Sequence, residues 1–175
     1  MRCKTKEKIT YRKVDIREAP ASLTKVHNIW TEVKGNCFAP PFRDFDLMLL
    51  PKELIPFTSV EDYLLETKGF RYRFYGTGLV KVDGVELTGK SHLDIPHSGL
   101  RDLVRELCQK VISEKKECLI HVMVPTLNSE EPIAIAGRWP LSDDGNHVTG
   151  ILTVVAPLTE VKALQEELEN QQSDN

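Results

Sequence analysis

Apolar residues recur along this chain with two periods, and the switches between them mark its elements. Leu23, Val26, Ile29, Trp30 and Val33 return every three or four residues, the period of one helical face. Pro20 and Ser22 supply start signals and Gly35-Asn36 a stop. Pro40 and Pro41 keep residues 38–46 out of a regular helix, because each removes a donor and fixes φ. A short helix is expected around Leu47–Leu50, before Pro51. Residues 55–66 read as a strand with a bulge, and Lys68-Gly69 as a turn. The run FRYRFY alternates with period two, which puts Phe70, Tyr72 and Phe74 on one face. The two strands form a hairpin. Gly76-Thr77-Gly78 breaks the second, and short helical or turn pieces follow through Lys90.

The clearest helix spans about 98–116. Leu100, Leu103, Val104, Leu107, Cys108, Val111 and Ile112 form one wide apolar stripe along it. Three strands come next, at 117–127, 132–141 and 147–156. Asn128–Glu131 and the turn Asp143-Asp144-Gly145-Asn146 join them, and connections this short make the strands antiparallel. Beyond Pro157 the pattern is helical again, with Val161, Leu164, Leu168 and Gln171 at heptad spacing. That segment is too polar to stand alone and needs the domain or a second chain.

Composition adds limits. At 175 residues, 41% apolar and 28% charged, the chain suits one soluble domain with attached flanks. The divisions are a basic arm over 1–19, a domain over 20–157, and an acidic helix and tail over 158–175. No stretch approaches the roughly 20 apolar residues of a membrane span, and the N-terminus lacks the apolar core of a secretory signal. A cytoplasmic location is expected. The net charge of −3 conceals a split, with +4 on residues 1–18 and −4 on residues 159–175. A net acidic domain argues against nucleic acid as a partner. Cys3, Cys37, Cys108 and Cys118 show no CxxC or zinc-finger spacing, so no metal site is expected. Cys108 falls on the apolar stripe and reads as core.

The motifs, taken in order, resemble one family. A tryptophan-bearing helix (Trp30) precedes Pro41-Phe42-Arg43-Asp44-Phe45-Asp46. Then come Phe70-Arg71-Tyr72-Arg73-Phe74-Tyr75-Gly76-Thr77 and Glu86-Leu87-Thr88-Gly89-Lys90. This order resembles the PAS superfamily, in particular the short PAS-like proteins of proteobacteria that often stand alone, over residues 22–157. The resemblance implies an α+β fold: a five-stranded antiparallel sheet, a long helix and short helices on one face, and N- and C-terminal flanking helices. It also implies a non-catalytic sensory module that dimerises through its flanks. Two cofactor types are disfavoured. Residues 76–95 contain no cysteine for a flavin photoadduct, and helix 98–116 contains no axial histidine for haem, although His92 and His97 lie just ahead of it. The small-molecule ligand stays unidentified.

The candidate pocket residues are Tyr72, Phe74, His121, Trp139 and Arg73. Tyr72 and Phe74 either stack on a planar ligand or pack in the core. His121 and Trp139 belong to strands that line a PAS pocket. Arg73 either meets a carboxylate of a ligand or partner, or anchors Asp44 or Asp46 of the preceding loop. Gly76-Thr77-Gly78 lacks the third glycine of a dinucleotide loop, so backbone freedom is its expected role. Asp44 and Asp46 stand without a nucleophile or base constellation, and no enzyme is expected. The reading is a sensor that binds a small molecule internally and relays through a protein partner; the alternative is a ligand-free protein–protein adaptor with a filled pocket. The oppositely charged ends are expected to associate, within one chain or across a homodimer. A dimer formed that way weakens as salt rises, which light scattering from 50 mM to 1 M NaCl measures.

Overall fold

The structure, a computed structural model, describes residues 9–125 and 130–173. Its strands are β1 (Thr10–Val14), β2 (Thr58–Leu64), β3 (Gly69–Tyr75), β4 (Cys118–Pro125), β5 (Glu130–Leu141) and β6 (Gly150–Val155). Its helices are α1 (Ala21–Lys34), α2 (Thr77–Asp83), α3 (Ser98–Glu114) and α4 (Leu158–Ser173). The strands form one sheet in the order β1-β4-β5-β6-β2-β3, antiparallel throughout. Asn128 and Ser129 of the expected β4–β5 connection lie outside the described residues, and Glu130 and Glu131 open β5. Among the described residues no helix is long and apolar enough to cross a membrane.

Six strands replace the five expected. The sixth comes from the basic segment read as an arm, whose TYRKV pairs with β4. Its charges hid a two-sided strand. On one side the Tyr11 hydroxyl donates to Glu106 (2.7 Å) and Lys13 Nζ lies 3.6 Å from Glu114, both on α3. On the other, Val14 joins the core under α1. The strand also covers the backbone edge of β4, which would otherwise stand unpaired. Cys3 lies outside the described residues.

The sheet buries both faces. Against one face lie Leu23, Val26 and Trp30 of α1, which meet Leu119, Ile135, Trp139, Leu152 and Val154. The Trp30 indole N–H donates to the Pro140 carbonyl across this interface (2.9 Å). Phe45, Leu50 and Leu54, from the proline-rich segment and the turns after it, cover the rest of that face. Against the other face lie Leu103, Leu107, Cys108 and Val111 of α3, with Leu79 of α2 and Leu87. Strand β6 is central and buried from Gly150 to Val154, so its near-continuous apolar run serves both cores.

Local chemistry closes the turns as the sequence implies. Asp144 accepts from the backbone N–H groups of Asn146 (2.8 Å) and His147 (2.7 Å), and His147 Nδ1 lies 2.8 Å away. These bonds hold its carboxyl well below the usual range. The hairpin does carry a bulge, but on the other strand from the one expected: at the register shift Val60/Glu61 the extra residue is Arg73 of β3. The expected short helix is a single 3-10 turn, Leu47–Leu49. Gly76 has a role different from the expected one: its backbone conformation is open to any residue, but a Cβ there would strike the Pro56 carbonyl.

Helix α4 is tied to the start of α1. Glu160 of α4 accepts from the backbone N–H (3.3 Å) and the hydroxyl of Ser22, at the start of α1. Val161 is buried and Leu164 half-buried against the α1-side core. This contact joins a carboxylate to a hydroxyl and a backbone N–H, and among the described residues 9–18 the cations have other partners. Arg12 meets His121, Lys13 meets Glu114, and Arg17 meets Asp15.

Gly137 tests the packing. A Cβ there would overlap the Trp139 ring, which lies back along its own strand and is held by α1 above it. Gly137→Ala is expected to lower the unfolding free energy by about 3 kcal/mol, the upper part of the overpacking range. Urea denaturation followed by tryptophan fluorescence measures it.

Candidate functional site

A cavity of about 580 Å³ lies between the second face of the sheet and helices α2 and α3. Its walls are mostly apolar: Leu79, Leu103, Val104, Ile120, Ala136 and Val155 among others. Its volume is in the range of small-molecule sites.

A polar row crosses this apolar wall. Directly opposed residues of an antiparallel sheet share a face. Tyr75 of β3 faces Ser59 of β2; Ser59 faces Thr153 of β6; Thr153 faces Arg138 of β5; Arg138 faces Cys118 of β4. Five strands therefore contribute one residue each to this row, and all but Cys118 line the cavity. Glu61, two residues after Ser59, joins the line from the same face.

Arg138 and Glu61 are the charged side chains of this floor, 7% and 3% exposed. The Ser59 hydroxyl donates to Glu61 Oε1 (2.6 Å) and the Thr153 hydroxyl to Oε2 (3.1 Å). Burial raises the Glu61 carboxyl from its ordinary value, against the pull of those bonds and of Arg138. Arg138 Nε and Nη1 are buried, and no group among the described residues accepts from them. Such donors are rare in folded chains and call for an acceptor. Burial also raises the Tyr72 and Tyr75 phenols, and pushes the Cys108 thiol up to about 12. All three are neutral near pH 7. Tyr72 and Tyr75 meet edge to face, with ring centroids 5.0 Å apart, and the Tyr75 hydroxyl donates to Asp83 at the end of α2.

Of the candidates read from sequence, Tyr72 alone lines this cavity. Phe74 packs in the core under α1 instead. The register shift explains it: Val60 pairs with Phe74 but Glu61 with Tyr72, so Arg73 is an extra residue on β3. Past that bulge the alternation is reset, Phe74 turns away, and Tyr75 takes the cavity side. His121 and Trp139 also lie on the α1 side. The Trp139 indole N–H donates to His27 Nδ1 (3.3 Å), and His121 Nδ1 lies 3.1 Å from Arg12 Nη2. Burial and the neighbouring Arg12 lower the His121 pKa. Arg73 is at the surface, with Nε on Asp62 (2.7 Å) and its guanidinium over the Phe42 ring (4.6 Å). It does tie the proline-rich segment to the sheet, through Phe42 rather than Asp44 or Asp46.

Sequence reading missed Arg138, Glu61, Ser59 and Thr153. A signal existed. IAIAGRWPL carries one cation in an apolar strand, and TSVEDYL places Glu61 two residues from Ser59. A charge inside a run that must be buried asks for a partner.

The element order and the single antiparallel sheet define an α+β fold of the kind that the PAS resemblance implies, with six strands rather than five. No family model matches the chain, and no curated protein matches it. Among solved structures it is similar to the PAS domain of Bordetella pertussis BvgS. The identity is 17% over 65% of this chain and 83% of that one, with a TM-score of 0.40. It is also similar to a light-oxygen-voltage domain studied with a flavin analogue, at 14% identity over 65% and 87% of the two chains and a TM-score of 0.40. A third similar structure is an RNA-binding light-oxygen-voltage receptor. There the identity is 9% over 95% of this chain and 43% of that one, with a TM-score of 0.42. These likenesses concern the fold alone.

The raised Glu61 carboxyl has a pH consequence. Between its unfolded and folded pKa values the native state binds more protons than the unfolded state, so stability falls as pH rises through that window. Glu61→Gln removes this dependence. Its thermal midpoint, relative to the parent, is expected to climb as pH rises above the usual carboxylate range and to level off once Glu61 is ionised in the folded parent; differential scanning calorimetry at four pH values checks it.

Proposed function

We propose that this chain is a non-catalytic PAS-type sensory module that binds a small molecule in the cavity beneath α3 and relays its occupancy to another protein. The cavity itself carries the reading. A filled core, which the adaptor alternative requires, is at odds with some 580 Å³ of lined space.

The relay runs through the root of α4. Leu158 and Val161, in the first turn of that helix, line the cavity, and Glu160 between them holds Ser22 of α1. A ligand that touches Leu158 and Val161 favours one seating of α4 over another, and that difference in free energy is the signal. In this reading the exposed turns of α4 meet the second copy or the signalling partner, and the module acts in the cytoplasm.

Ala136→Leu places three more carbons at the cavity centre, two residues from Arg138. The variant is expected to match or exceed the parent's thermal midpoint, as cavity filling does, and to lose the co-purifying small molecule that native mass spectrometry detects on the parent. A parent without any bound mass, and with no thermal shift across a metabolite panel, sinks the reading.

A further inference from the structure

We infer that the ligand of this cavity is an organic monocarboxylate, its carboxylate set against the Arg138 guanidinium and its apolar body running to the rim at Val82, Ile133 and Leu158. This rests on the sensory reading above and names the ligand class for the same site.

Four observations carry it. The first is Arg138 itself: nine-tenths buried, in the cavity wall, with Nε and Nη1 lacking an acceptor. Among the described residues no carboxylate lies within ion-pair distance of it. Leaving a guanidinium buried with free donors is unfavourable, and an arriving carboxylate supplies both the acceptor and the countercharge.

The second is the charge of the surroundings. Glu61 is engaged by the Ser59 and Thr153 hydroxyls, and burial drives it toward its neutral form. The Cys108 and Cys118 thiols and the Tyr72 and Tyr75 phenols are also pushed up by burial. Asp83, at the cavity edge, accepts from the Tyr75 hydroxyl. His97, on the opposite edge, caps α3 by accepting the Leu100 N–H (3.3 Å). The floor therefore presents one cation with free donors, beside a carboxyl whose two oxygens are already taken by hydroxyls. One cation suits a monoanion; a phosphate brings nearly two charges and asks for more donors than this wall holds.

The third is the remainder of the wall. Leu79, Leu103, Val104, Ile120 and Val155 offer hydrocarbon contact and no hydrogen bonds. Away from the polar row, a sugar or a second carboxylate meets hydrocarbon from these five residues.

The fourth is the rim. Val82, Ile133 and Leu158 are among the most exposed large apolar side chains of the molecule, and all three line this one cavity. They extend the apolar path from Arg138 to the surface. At about 30 Å³ per water-sized group, the space admits at most roughly twenty non-hydrogen atoms.

The test pairs each acid with its neutral amide. Octanoate, decanoate, phenylacetate and indole-3-acetate, and the four corresponding primary amides, are titrated into the full chain by calorimetry at pH 7.5, with thermal shift in parallel. At least one acid is expected to bind ten-fold or more tightly than its amide. Arg138→Met and Arg138→Gln are each expected to bind acid and amide alike, within about two-fold. Arg138→Met is also expected to keep or raise the thermal midpoint of the unliganded chain. A purely structural arginine would instead lower it on removal, and that drop in both variants overturns the inference. So does equal binding of acid and amide by the parent, or an acid preference that survives in either variant. If no acid binds while native mass spectrometry still shows a bound neutral molecule, the carboxylate assignment fails and the sensory reading stands. If nothing is bound at all, both fail.

Discussion

The pleat of a sheet that is covered on both sides governs this molecule. Each strand has two faces, and here each face belongs to a different core, one under α1 and one under α3. A shift of one residue therefore moves a side chain from one core to the other rather than from protein to water. Arg138 and Trp139 are adjacent in sequence, yet the first lines the cavity and the second supports α1. The bulge at Val60/Glu61 works the same way, setting Tyr75 in the cavity and Phe74 behind it.

Within that frame the α3 side is the unusual one. The α1 side is packed by tryptophan, phenylalanine and leucine, with indole hydrogen bonds to Pro140 and His27 as its cross-links. The α3 side carries a line of hydroxyls, a carboxyl and a guanidinium through otherwise apolar walls. Stability alone favours apolar residues at such positions, since buried charges are commonly replaceable by hydrophobic ones without loss. A polar row placed where it costs stability points to a task other than holding the fold.

Much of the architecture was legible in the sequence. The helical periods at 23–33 and 100–112 and the turn chemistry around Asp144 appear as read. So does the strand order along the chain, apart from β1, whose cations disguised its alternation. The site was legible only in part. Tyr72 lines the cavity; Phe74, His121 and Trp139 belong to strands that flank it but sit on the α1 face of them. Aromatic residues drew the reading because they are large, whereas the residues that equip the cavity are small hydroxyls and two charges.

The sequence by itself determined which segments are helix and which are strand, because hydrophobic period, proline and glycine act locally. It also determined that the two ends of the chain carry opposite charge. Only the tertiary structure decided which way each strand faces. A single extra residue at a bulge reverses the alternation, and the face a residue takes is set by the partner strands, which are far off in sequence. Only the tertiary structure, too, brought Ser59, Glu61, Arg138 and Thr153 into one row. These residues span three strands, and nothing but the antiparallel register of the folded sheet makes them neighbours.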